Sequence, residues 1–214
     1  ALATGGAVAM VTDPARVAVF RMVSQLLLVG YVLTFIFGSQ RALVTVSVVS
    51  VMLATAGWIA LRPLGSERVR RYPSALVAIS AGALTVLFMA TQVVLDLPNW
   101  YTPSMVIPLA GIVLANSMNT VSLAAERFRA ERERGADYRE ARHTAMSISL
   151  IPMTNSLLAV GLVSLPGMMT GQILSGVTPL IAVRYQILVM CMIFGSAGLA
   201  TSCYLVLQRP RTDD

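Results

Sequence analysis

Windows of about twenty residues, almost free of charge, recur along this chain at 17–37, 42–61, 75–95, 103–124, 145–166 and 185–207. A helix rises about 1.5 Å per residue and the hydrocarbon core of a bilayer is roughly 30 Å thick, so each window has the length of one crossing. Six of them predict an all-α, polytopic transmembrane helical bundle. The composition, 56% hydrophobic against 12% charged, excludes an ordinary soluble domain. Ahead of the first window, residues 1–11 are apolar and small and run into Asp13-Pro14. They are too short to span and lack the basic start of a signal peptide. They read as the tail of a truncated N-terminal helix, which gives six full spans here and seven expected in the intact protein.

Every one of the sixteen basic residues is arginine, and their placement alternates. Arg62, Arg68, Arg70 and Arg71 follow the second window, Arg127, Arg129, Arg132, Arg134, Arg139 and Arg142 the fourth, and Arg209 and Arg211 the sixth, whereas the opposite loops hold only Arg41 and Arg184. By the positive-inside rule the rich loops and the C-terminus are cytoplasmic in a multi-pass protein of the cell membrane. The alternation supports six spans independently of their length. It also accounts for the basic balance without nucleic acid as a partner. On the other side, Trp100 and Tyr101 suit an interfacial aromatic belt. The whole of 1–214 reads as a single transmembrane domain with a cytoplasmic loop at 125–144.

The residues of an enzyme are missing. Catalysis needs converging nucleophiles, bases or metal ligands, and the single histidine, His143, falls in the charged loop. Gly195-Ser196-Ala197-Gly198 places a serine among glycines, but no span offers a base, and a small-residue packing patch explains it. Cys191 and Cys203 are twelve residues apart, about 120° around a helix, and read as two buried apolar thiols. No phosphate-binding G-x-x-x-x-G-K-[ST] occurs and there is no lysine to complete one, so any ATP is bound by another polypeptide. Spans without Asp or Glu disfavour ion-coupled transport. The pairs Met168 with Met169 and Met190 with Met192 read as apolar filler ahead of soft-metal ligands, so a metal site is unknown.

Three stretches carry the candidate sites. The fourth window lines up Pro108, Gly111, Ala115, Asn116, Met118, Asn119 and Ser122 at helical spacing, a small and polar side expected to point into protein, with helix packing favoured over pathway lining. Asn116 and Asn119, with Asn155 and Gln172, are the candidate pathway groups, and Pro166-Gly167 is a candidate bend. Residues 125–144 hold opposite charges at helix-neighbour spacing, Arg127 with Glu131, Arg129 with Glu133 and Glu126 with Arg129, and then Gly135 interrupts. This is either a solvated extension of the fourth span or a helix, glycine, helix elbow in which Gly135, Ala136 and Glu140 meet a partner. From 167 to 184, Gly167, Gly171, Gly176 and Pro179 break the chain into a loop or re-entrant element on the outer side.

The stretch Gly161-Leu162-Val163-Ser164-Leu165-Pro166-Gly167-Met168-Met169-Thr170-Gly171 resembles the signature of the FetB-type permeases. Gln25-Leu26-Leu27-Leu28-Val29-Gly30-Tyr31, Ile107-Pro108-Leu109-Ala110-Gly111, Asn116-Ser117-Met118-Asn119, Ile151-Pro152 and Ala182-Val183-Arg184-Tyr185-Gln186 extend the resemblance over 16–207. It implies an ABC-type permease that works with a separate ATP-binding subunit, carries no cofactor itself, and docks its 125–144 loop on that subunit. Bacterial members are linked to iron export, plant members to aluminium tolerance or nucleotide-sugar transport. The leading expectation is a homodimer whose pathway switches access as ATP closes the partner subunits, exporting a metal ion, iron. The alternatives are another solute of those kinds, or a membrane scaffold that transports nothing.

Overall fold

The computed structural model describes residues 2–38 and 41–209, with side chains from residue 17 onward except residue 18. Among the described residues seven α-helices follow one another: α1 (Leu2–Phe37), α2 (Ala42–Ala60), α3 (Arg68–Phe88), α4 (Pro103–Glu133), α5 (Tyr138–Ala159), α6 (Gly167–Leu174) and α7 (Pro179–Leu207). A 3-10 turn, Arg62–Glu67, joins α2 to α3, and α3 runs on into a π-helical turn, Met89–Val94. Among the described residues there is no strand, and the chain is all-helical as its sequence predicts. Among the described residues five helical stretches are long and apolar enough to cross a membrane: the second half of α1, α2, α3 with its flanking turns, α4 and α7.

The expected crossing over 145–166 is not among those five. Helix α5 spends its first turns on Tyr138, Arg139, Glu140, Arg142 and His143 and ends at Ala159. Its apolar part, about fifteen residues, is about 22 Å long, short of the bilayer core. The remaining apolar residues form a tight turn instead, in which Gly161 N donates to Ser164 O at 3.0 Å. Two further boundaries differ from expectation. The backbone of α1 stays helical through Asp13-Pro14, so no break separates a truncated helix from the first span. Proline removes one helical hydrogen bond without ending a membrane helix, and Pro73, Pro108 and Pro152 likewise lie inside helices. Helix α7 starts at Pro179, six residues before the window, because proline suits the first helical position, and Arg184 therefore sits within the helix.

Helix α7 is the centre of the bundle, packed against α3 and α4 along its length and against α5 and α6 on its flank, while α2 lies against α3 and α4. The contact surfaces are built from alanine: Ala60, Ala75, Ala78, Ala110, Ala124 and Ala200 are fully buried. In lipid no hydrophobic force draws helices together, so close approach of small side chains has to supply the attraction. The tightest crossing is α3 on α7 at Gly82, where an added Cβ would lie 2.6 Å from both Ser196 O and Ala200 N. Ser196 and Ala197, both fully buried, are thus the packing patch expected of the small-residue run. Cys203 is half-buried and Cys191 exposed, both free, so the expectation of two buried thiols fails at Cys191, which sits on the outer side of α7. Of the described side chains of α1 only Ile36 is buried.

At the arginine-rich end, α5 is tied to α7 by Tyr138, whose hydroxyl donates to Leu205 O at 2.9 Å while its ring meets Phe128 edge-on at 6.0 Å. Tyr138→Phe keeps the ring and removes the bond. It is expected to cost about 1 kcal/mol, a fall of about 2–4 °C in melting temperature for a chain of this size, read by thermal unfolding in detergent.

Candidate functional site

Helix α5 turns Ala141, Ala145 and Ser149 inward, one residue per turn, and that register leaves Ser147, Ile151, Asn155 and Leu158 on its outer side. Helix α4 buries Val106, Val113, Ser117, Thr120 and Val121, which leaves Pro108, Ala115 and Asn119 exposed. The small and polar side of α4 expected to face protein therefore divides. Gly111 meets α2, where an added Cβ would touch Met52 Cε at 3.3 Å, whereas Ala115 and Asn119 face away from the chain. Asn116 is half-buried and donates Nδ2 to Ile112 O at 2.8 Å, one turn back along its own helix. Gln172, on α6, is half-buried, and its Oε1 is buried with no hydrogen-bond partner among the described residues. No hydrogen bond among the described residues joins any two of Asn116, Asn119, Asn155 and Gln172. The chain leaves Asn119 and Asn155 exposed and, among the described residues, Gln172 Oε1 unpaired, whereas Asn116 is paired within its own helix.

The signature stretch makes a bend. Pro166 is extended and caps α6, so that Thr170 N and Thr170 Oγ1 both donate to Pro166 O, at 2.9 and 3.1 Å. Gly167 and Gly171 lie one turn apart on this helix, and an added Cβ at either would meet nothing within 4 Å. Leu165 and Met168 are exposed and Met169 is half-buried. The stretch expected to be a loop or re-entrant element, 167–184, holds an apolar eight-residue helix, a turn at 175–178 and the first turns of α7.

The charged loop folds as an elbow with both sides capped. On α4, Arg127 pairs with Glu131 at 2.6 Å and Arg129 with Glu133 at 2.7 Å, as their spacing predicts. Among the described residues Glu126 makes no pair with Arg129; instead Arg134 reaches Glu131 at 3.3 Å. Gly135 then takes φ +88°. Its N–H donates to Arg132 O and that of Ala136 to Glu131 O, both at 3.1 Å, the paired closure that ends a helix on a left-handed residue. Arg132 Nη1 donates to Ala136 O at 2.8 Å. Two residues on, Asp137 caps α5 by accepting from Glu140 N at 2.7 Å, with Glu140 in the first turn favourable to the helix dipole. The geometry is that of the helix, glycine, helix elbow, with Gly135, Ala136 and Glu140 at its apex.

Two cavities accompany these elements. One of about 270 Å³ lies between α2 and α3 and is apolar apart from Thr45, Ser50, Thr91 and Gln92. The other, about 620 Å³, opens at the arginine-rich end between α3, α4 and α7. In the sequence its arginines are accounted for by topology and, for Arg129 and Arg132, by the charged 125–144 segment with its Arg129–Glu133 spacing. The overlooked signal is Gln208, an amide set between the apolar end of α7 and Arg209. Among the described residues no cluster of three or more His, Cys, Asp or Glu side chains is placed to hold a metal ion.

Residues 10–212 match the Uncharacterised protein family (UPF0014). The chain is 35% identical to the UPF0014 membrane protein slr1647 of Synechocystis sp., over 85% of this chain and 76% of that protein. It is 33% identical to the probable iron export permease protein FetB of Escherichia coli, over 90% of this chain and 79% of that one. It is equally 33% identical to the protein ALUMINUM SENSITIVE 3 of Arabidopsis thaliana, over 88% and 74%. No solved structure matches. The resemblance carried by residues 161–171 thus extends over nearly the whole chain. None of these three relatives bears the name of an enzyme.

Proposed function

This chain belongs to the UPF0014 family, and on that premise we propose that it is the membrane-spanning permease subunit of an ABC-type transporter, exporting a metal ion, iron, with ATP hydrolysed on a separate subunit. The observation that carries the reading is the similarity to the E. coli iron export permease along 90% of the chain. The absence of any lysine supports a separate ATPase, because the phosphate-binding loop of such an enzyme uses one. On this reading the protein is no enzyme itself, resides in the cell membrane, and has its arginine-rich end and C-terminus in the cytoplasm.

The reading counts six crossings, with α5, the turn after it and α6 together as the fifth. The supporting observation is the 620 Å³ cavity, which joins the arginines after α2, those at the end of α4 and that after α7 at one end of the molecule. Between the ends of α4 and α7 the chain has to travel to the far side and back.

Two copies form the pathway. Outward amides such as Asn119 and Asn155 need protein or water against them at membrane depth. Hard cations take about six oxygen ligands, more than the Asn116, Asn119, Asn155 and Gln172 carbonyls of one chain supply. The equal similarity to ALUMINUM SENSITIVE 3 favours a second reading, an aluminium-related solute on the same pathway.

The test is reconstitution of the chain with its candidate ATP-binding subunit in vesicles. Co-purification, ATP hydrolysis raised several-fold over the ATPase alone, and ATP-dependent iron movement are expected. Aluminium moving in place of iron would select the second reading. No association and no ATP-dependent flux of either would leave the scaffold alternative and end the permease proposal.

A further inference from the structure

We propose that the cavity at the arginine-rich end is a binding site for a phosphate group, presented by the headgroup of an anionic membrane lipid or by a free phosphate in solution. Its volume, about 620 Å³, lies within the range of small-ligand sites. Five arginines line it, Arg70, Arg71, Arg129, Arg132 and Arg209, against two carboxylates, Glu67 and Glu133. Both carboxylates are engaged: Glu67 lies 3.1 Å from Arg70 and 3.4 Å from Arg71, and Glu133 lies 2.7 Å from Arg129. Arg132 has no carboxylate partner among the described residues and turns one nitrogen to Ala136 O, leaving guanidinium donors available. The lining therefore keeps an excess of positive charge after its internal pairs are made.

A second observation points to a ligand. Gln208 is only 7% exposed, lines the same cavity, and has its Nε2 buried with no acceptor among the described residues. A desolvated amide donor without a partner is unfavourable, and native structures rarely keep one unless something binds there. Nε2 itself is covered, so a turn of the Gln208 side chain brings its N–H2 to the cavity, where a phosphate oxygen accepts from it and from the arginines by charge-assisted bonds. The cavity is also amphipathic. Its floor is Leu64, Phe128, Tyr204 and Leu207, and Leu207 is the last residue of α7, at the level where an apolar helix leaves the bilayer. Basic pockets between membrane helices at that level suit an anionic headgroup, with the glycerol and first methylenes on the apolar floor.

The experiment uses the full chain in phosphatidylcholine nanodiscs with phosphatidylglycerol added stepwise, retained lipid being counted by native mass spectrometry. A parallel arm titrates inorganic phosphate into discs without phosphatidylglycerol and follows thermal stability. Retention of about one phosphatidylglycerol per chain is expected. Gln208→Leu and Arg132→Gln should each weaken it about tenfold, the scale of one charge-assisted hydrogen bond. Arg142→Gln, which removes the same charge outside the cavity, should leave it unchanged. Protection by inorganic phosphate with no selective lipid retention supports the site and identifies the solution source. If neither arm binds above the phosphatidylcholine background, or Arg142→Gln weakens binding as much as Arg132→Gln, the proposal is overturned. Arg132 is exposed, so its variant folds and decides the matter even where Gln208→Leu does not.

Discussion

Gly82→Val is expected to abolish the folded bundle. A Cβ at this position would lie 2.6 Å from Ser196 O and from Ala200 N and 2.9 Å from Ala200 Cβ. Two of these are backbone atoms of α7, so no rotamer change relieves the clash and the two helices have to separate. The separation propagates, because α7 also carries the contacts to α4 and α5. Adding carbon to a filled core typically costs about 1–3 kcal/mol, more where backbone has to move. In a membrane no hydrophobic gain offsets the lost close approach. Gly198, on the same helix, would place a Cβ with nothing within 4 Å, so Gly198→Val should melt close to the wild type. Size-exclusion profiles and melting curves in detergent read the contrast; a Gly82→Val chain that is monodisperse and melts within a few degrees of wild type would refute the packing argument.

That crossing was half legible. The small residues at 195–198 announce a close contact somewhere, but which helix meets them depends on the tertiary arrangement, and nothing local to Gly82 identifies it. Helix α2 and the start of α4 were readable to within a residue, since hydropathy changes abruptly at Arg62 and Pro103, where charge and proline also mark the ends; α3 begins at Arg68, ahead of its apolar window, and α4 runs on to Glu133, past the end of its own, because charged turns continue a helix that hydropathy alone ends. The failure over 145–185 has a physical cause. A window sums apolarity without regard to backbone, and Val160, Leu162, Val163 and Leu165 are as apolar in a tight turn as in a helix. The i,i+4 ion pairs of α4 were legible because a helix fixes their distance. Within one chain Asn119 is exposed and the polar residues α4 buries are its neighbours Ser117 and Thr120, a division that only packing of α4 against its neighbouring helices decides. The meeting of Arg70, Arg132 and Gln208 in one cavity could not be read from any single segment, because it exists only after α3, α4 and α7 associate.

On the proposed permease reading, Gly135→Val is expected to separate ATP hydrolysis from transport in the chain reconstituted with its candidate ATPase. The residue holds φ +88°, in the left-handed region that a β-branched side chain tolerates poorly, at a strain of roughly 1–3 kcal/mol. Nothing lies within 4 Å of the added Cβ, so the cost is confined to the backbone of the joint and the spans keep their packing. Strain is relieved by reopening the turn, which loses the bonds from Gly135 N and Ala136 N and loosens the angle between α4 and α5. Those helices carry Asn119 and Asn155 outward from the elbow, so a push on a rigid joint moves both together and a push on a loose one dissipates. Transport per ATP should fall at least about tenfold, with the ATPase still bound and the melting temperature lowered by a few degrees. Gly135→Asn is the discriminating control, because asparagine accepts the left-handed conformation and should restore most of the coupling. Transport by Gly135→Val equal to that of the wild type would show that the elbow is a solvated helix end, with the drive entering the membrane elsewhere.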